Sequence, residues 1–160
     1  MTIYQACDYI ILKAGTEGCT LNVLKLQKLL YYTQAWSLAL RGGRAFDGEF
    51  AAWIHGPVNR EIYDRFKNTK MLYDVVDVDD ISPDFSPEAI DEALRQHIDE
   101  VLDVYNKFSG SQLETLTHNE DPWISARGGC APTQRCENLI SEDEMKAYYS
   151  KLAAVKRELH

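Results

Sequence analysis

The run from Leu21 to Leu40 holds only two charged side chains, Lys25 and Lys28, and it restricts the possible folds more than any other stretch. It predicts a helix that starts after Thr20 and continues to about Arg41, where Gly42-Gly43 stops it. At 1.5 Å per residue such a helix is about 30 Å long. Leu26, Leu29, Leu30, Trp36 and Leu40 make one apolar stripe, and Leu24, Tyr31, Ala35 and Leu38 make a second. Lys25, Lys28 and Tyr32 are expected on a polar strip between them. A helix apolar on two sides packs against several neighbours at once, so the rest of the chain must wrap around this one. The charged and amide residues within the run keep it from being the roughly 20-residue apolar span that a bilayer requires.

Other helices announce themselves by their caps. Thr2 with Gln5, Ser109 with Gln112, and Ser141 with Glu144 each have capping-box spacing. The first precedes Ile3, Ala6, Cys7, Ile10 and Ala14, closed by Gly15. The last precedes Met145, Tyr149, Leu152, Val155 and Leu159 on one face. Ser86-Pro87-Glu88 is expected to open a second long helix through Ile90, Leu94, Ile98, Val101 and Tyr105, and Pro57 to open a helix through Val58, Ile62 and Phe66. Asp121-Pro122-Trp123 starts a short helix that ends at Gly128-Gly129. Extended structure is expected only from Ala45 to Ile54 and from Asp74 to Ile81. The fold class is therefore mostly α: a single compact helical domain over residues 1–160, with a long central helix and a minor short β element.

Net charge is −8, and its distribution matters more than its size. Residues 71–106 contain eleven acidic side chains against one basic. This block is either a solvated face or a patch that steers a basic partner. No basic footprint stands out, so direct nucleic-acid binding is disfavoured. The N-terminus lacks a basic n-region and does not read as a cleavable signal, which makes the cytoplasm the expected compartment.

Candidates for chemistry are few. The chain has no phosphate-binding glycine loop, zinc-protease pair, nucleophile elbow or nicotinamide fingerprint, so no cofactor is expected. Cys130 and Cys136 offer a half-site for zinc with His118 or His97, at a spacing unlike a standard knuckle. His118 has Glu120 and Asp121 close by, the elements of a small hydrolase, but a histidine between short helices more often caps a helix or bonds buried backbone. Trp and Tyr are preferred interface anchors, and the Tyr31-Tyr32 and Tyr148-Tyr149 pairs each point two rings about 100° apart.

Three phrases stand in order: Leu24-Lys25-Leu26-Gln27-Lys28-Leu29-Leu30-Tyr31-Tyr32 with Gln34-Ala35-Trp36; Phe50-Ala51-Ala52-Trp53 with Gly56-Pro57-Val58 and Ile62-Tyr63; and Leu116-Thr117-His118-Asn119-Glu120 with Pro122-Trp123. In this sequence the chain resembles the Panacea-domain family, the SocA-like or GepA-like phage-associated proteins, over about residues 3–127. The loop and helix of 128–160 are similar only in broad character. The resemblance implies a bacterial or prophage antitoxin that binds a protein toxin encoded by an adjacent gene, and no catalysis. Its alternative is a proteolytic adaptor that delivers the toxin to a AAA+ protease. Lys25, Lys28, Leu26, Leu29, Tyr31, Trp36, Trp53, Gly56, Pro57, Tyr63, His118, Glu120, Pro122 and Trp123 are then mainly structural. Tyr32, Asp77, Asp79, Asp80, Tyr148 and Tyr149 are the expected partner contacts.

Overall fold

The computed structural model describes residues 1–158, with side chains as far as Lys156. Seven α-helices and one two-stranded hairpin occur among the described residues: α1 Ile3–Thr16, α2 Val23–Leu40, β1 Ala51–Trp53, β2 Gly56–Val58, α3 Arg60–Phe66, α4 Glu92–Tyr105, α5 Gly110–His118, α6 Asp121–Arg127 and α7 Glu142–Glu158. The mostly helical fold class expected from the sequence is the one observed. Among the described residues no helix is long and apolar enough to cross a membrane.

Local signals place the helix starts. The Gln5 N–H donates to Thr2 Oγ1 at 3.1 Å and the Thr2 N–H to Gln5 Oε1 at 2.9 Å, closing both sides of the box at α1. Ser109 and Gln112 do the same for α5. At α2, Asn22 accepts from the Lys25 N–H at 2.8 Å. Each pairing satisfies helix-end N–H groups that have no partner within the helix.

α2 is the hub: α1, α4, α5, α7 and β2 all pack on it. Sixteen of its eighteen residues are buried, which corrects the polar strip expected for Lys25, Lys28 and Tyr32. All three lie inside, Lys28 and Tyr32 with no exposed surface at all. Gly110 shows how closely α5 approaches: a Cβ there would stand 2.9 Å from Asn22 Oδ1 and 3.1 Å from the Lys25 nitrogen. α7 covers another side of α2 with Met145 and Tyr149. The outer part of its expected apolar face differs, because Val155 is exposed, and Leu159 lies outside the described residues.

Three further expectations give way to other bonds. Pro57 belongs to β2, opposite Ala52, and α3 starts later. Asn59 takes the cap, its side chain accepting the Ile62 N–H at 3.0 Å while Gln27 binds its backbone from α2. Ser86 does not cap α4. Its hydroxyl donates to Glu88 at 2.7 Å within a single 3-10 turn, Pro87–Ala89, and α4 begins at Glu92. From Asp74 to Ile81 there is no strand, only an isolated bridge between Asn22 and Val75. Asp77 and Asp80 accept backbone N–H groups and wind Val78–Asp80 into a 3-10 turn, side-chain bonds that compete with a strand ladder.

Candidate functional site

Two buried clusters gather the motif residues along α2. The first centres on Glu120, between α5 and α6. The Tyr32 hydroxyl donates to Glu120 Oε1 at 2.7 Å and the Tyr149 hydroxyl to the same oxygen at 2.9 Å. Tyr149 lies 3.2 Å from the Tyr31 hydroxyl, and Trp36 Nε1 donates to Tyr105 at 2.8 Å. Tyr32 stacks on Tyr105 with ring centres 4.0 Å apart. Burial raises the Glu120 carboxyl from its ordinary 4.5 to about 6, against the two tyrosine hydrogen bonds that pull it down. Burial also raises the Tyr31, Tyr32 and Tyr149 phenols far above their ordinary range, so all three stay neutral donors.

The second cluster ties the hairpin to the helices through backbone carbonyls. Lys28 Nζ donates to Pro57 O at 3.2 Å, and Lys25 Nζ to Asn106 O at 2.6 Å. Trp123 Nε1 donates to Trp53 O at 3.0 Å, and Arg127 to Ala52 O at 3.2 Å. Gly56 turns the hairpin at a φ of 103°, and a Cβ there would come within 2.5 Å of Lys28 Cε. Only a glycine allows the hairpin to sit on the lysine stem. Burial lowers Lys28 to about 7, with Glu114 pulling the other way.

His118 stacks on Trp123 at 4.1 Å, and its Nε2 is buried without a hydrogen-bond partner among the described residues. Burial lowers its pKa below the ordinary histidine range. No hydrogen bond joins it to Glu120, which faces the tyrosines, so the structure does not assemble the pair a small hydrolase would use. His97 is turned into the core, with Nε2 2.8 Å from Thr33 O. No group of three His, Cys, Asp or Glu side chains suited to a metal occurs among the described residues.

The expected partner contacts divide. Tyr32 and Tyr149 have no exposed surface, which removes them as contact residues in this conformation. Tyr148 is half-buried, edge-on to Tyr149 at 5.0 Å. Asp77 and Asp80 hold the 3-10 turn, and Asp80 pairs with Lys70 at 3.3 Å. Asp79 alone of the three is exposed with no side-chain bond among the described residues. In the same segment Met71, Tyr73, Val75 and Val78, none of them expected as a partner contact, are 79%, 61%, 52% and 54% exposed. The signal for them was present, since each is a large apolar residue in a stretch crowded with acids.

In this mostly helical platform the polar motif residues fasten backbone carbonyls and hold buried tyrosines. The chain matches the family model described as "Antitoxin SocA-like, Panacea domain" over residues 26–124, from α2 into α6, and it belongs to that family. It is 30% identical over 118 residues to Antitoxin SocA of Caulobacter vibrioides (strain NA1000 / CB15N), an alignment covering 69% of this chain and 62% of that protein. The chain thus spans about 62% of the length of the curated relative it matches. No solved structure matches.

Proposed function

We propose that the chain neutralises a cognate protein toxin by stoichiometric binding, and that the segment from Met71 to Glu92 forms the docking face. Membership of an antitoxin family supports the first part. The observation that carries the second is the run of four exposed apolar residues, Met71, Tyr73, Val75 and Val78, set among Asp74, Asp77 and Asp79. Contiguous exposed apolar surface with a polar rim marks an interface, because it leaves hydrophobic area in water until a partner covers it. The surrounding acids select a basic partner and accelerate its approach. Tyr73 is the natural anchor, a large ring with a polar tip. On this reading the buried motif residues maintain the platform, and the exposed ridge chooses the toxin.

Co-expression with the toxin of the adjacent gene, read by growth and by pull-down, tests the proposal. The intact chain is expected to restore growth and to retain the toxin, while a Tyr73→Ala/Asp79→Lys variant with an unchanged circular dichroism spectrum loses both. Full protection by that variant would move the docking face elsewhere. Toxin that disappears only when an ATP-dependent protease is present would favour delivery over blockade.

A further inference from the structure

The fold leaves two aromatic rings outside its core. Trp53 on β1 and Tyr63 on α3 meet edge to face with ring centres 4.9 Å apart. Tyr63 is 38% exposed, and neither ring belongs to the central cluster of buried side chains. Arg60, in the first turn of α3, lies over both, its guanidinium carbon 5.8 Å from the Trp53 ring centre and 5.5 Å from that of Tyr63. The rings hold the guanidinium in place and leave its N–H groups unspent. Among the described residues no hydrogen bond uses them: Asp64 stands 3.5 Å from Nε and Glu137 3.6 Å from Nη1, both farther than a charge-assisted hydrogen bond reaches. The Trp53 indole N–H also has no partner among the described residues, whereas Trp36 and Trp123 donate theirs within the fold.

Trp53, Arg60 and Tyr63 line a hollow of about 370 Å³ together with Val58, Leu72 and Arg135. That volume and a mostly apolar lining suit a small molecule. No carboxylate is among its lining residues, in a chain whose net charge is −8. His55 also lines it, but its Nδ1 is committed to Glu114 at 2.8 Å, and Arg135 pairs with Glu137 at 2.9 Å. Arg60 is therefore the cation whose donors remain open to a ligand.

We propose that this hollow binds a small planar molecule that carries one oxyanion on an aromatic body. Arg60 takes the oxyanion through two parallel N–H donations, because its planar fork matches a pair of such oxygens. The aromatic body fills the hollow against Trp53, Tyr63 and Leu72, where ring contacts add to the apolar area buried. Glu137 is the competitor. Its carboxylate stands against both arginines at 51% exposure, so water screens these pairs and an incoming anion displaces them at small cost. The hollow shares only Leu72 with the proposed docking face, so the two readings can fail separately.

Fluorescence titration of the purified full chain with 8-anilinonaphthalene-1-sulfonate, beside the uncharged N-phenyl-1-naphthylamine, separates the part of the anion from that of the rings. One sulfonate probe should bind per chain. Arg60→Gln should weaken it at least about tenfold, and Glu137→Gln should tighten it about threefold, while both variants leave the uncharged probe's affinity unchanged. Both residues are exposed, so neither substitution disturbs the core. Tyr73→Ala, on the ridge, should leave the sulfonate affinity as it is. In amide NMR spectra the sulfonate should move the Trp53 indole signal, assigned with Trp53→Phe, and leave that of Trp36 in place. Sulfonate affinity that survives Arg60→Gln, or that falls with Tyr73→Ala instead, would overturn the proposal. Equal weakening of both probes by Arg60→Gln would overturn it too, because the hollow would then be an apolar surface without anion recognition.

Discussion

Glu120→Gln isolates the electrostatic cost of the buried carboxylate under α7. In the native protein the carboxyl has moved from its ordinary 4.5 to about 6, with burial as the largest cause. The upward shift means the folded state holds this proton more tightly than the unfolded chain does. The stabilisation is full below pH 4.5, declines as pH rises from 4.5 to 6, and is lost above that range. A shift of this size corresponds to about 2 kcal/mol. Glutamine cannot ionise, yet its amide oxygen still accepts from the Tyr32 and Tyr149 hydroxyls. The stability of the variant relative to the native chain should therefore improve by about 2 kcal/mol between about pH 4 and about pH 7.5, or about 4–8 °C in Tm for a chain of this size. Urea melts followed by tryptophan fluorescence across that range measure the difference. A constant offset between the two proteins would show that Glu120 titrates alike in both states. An offset growing the other way would show that the tyrosine hydrogen bonds outweigh burial.

The second buried cluster makes further predictions. Gly56→Ala puts a Cβ 2.5 Å from Lys28 Cε at a φ of 103°, and urea melts should show a loss of about 2–4 kcal/mol from strain and overpacking together. Lys28→Met removes an amine whose pKa is lowered to about 7 by burial. Native stability should rise with pH above 7 as that amine gives up its proton in the fold first, while the variant stays flat; parallel curves would refute the buried charge. Arg127→Ala frees three backbone acceptors in the 128–138 loop and its anchors, and limited trypsin digestion should then cut after Arg135 at least about tenfold faster, a change worth roughly 1.4 kcal/mol of local opening. An unchanged cleavage rate would assign the loop's order to other contacts.

What could be read from the sequence was local. Thr2 with Gln5 and Ser109 with Gln112 start helices through bonds three residues apart, so their identities suffice. The two-sided apolar character of α2 correctly made it the hub. The position of Lys25, Lys28 and Tyr32 depends instead on which elements cover α2, and α1, α4, α5, α7 and the hairpin together bury nearly all of it. A helix buried all round has no exposed face to give its periodicity a direction. Pro57 and Ser86 each have a sound local helix signal that another bond overrides. At Pro57 it is displaced by a partner distant in sequence, Gln27 on the Asn59 backbone; at Ser86 the neighbouring Glu88 takes the hydroxyl. The acids of the exposed ridge were visible as composition, but the structure was needed to separate Asp79 from the turn-forming Asp77 and Asp80. The phrases that carried the family resemblance remained intact in space, because Glu120 and Trp123 in the third meet Tyr32 in the first and Trp53 in the second.

Titration of a fixed quantity of active toxin with the purified chain tests stoichiometric blockade most directly. Toxin activity should fall in a straight line to zero at a fixed molar ratio, and the toxin should be recovered chemically intact on denaturing the complex. Complete inactivation by a trace of the chain, with the toxin altered or cleaved, would contradict it.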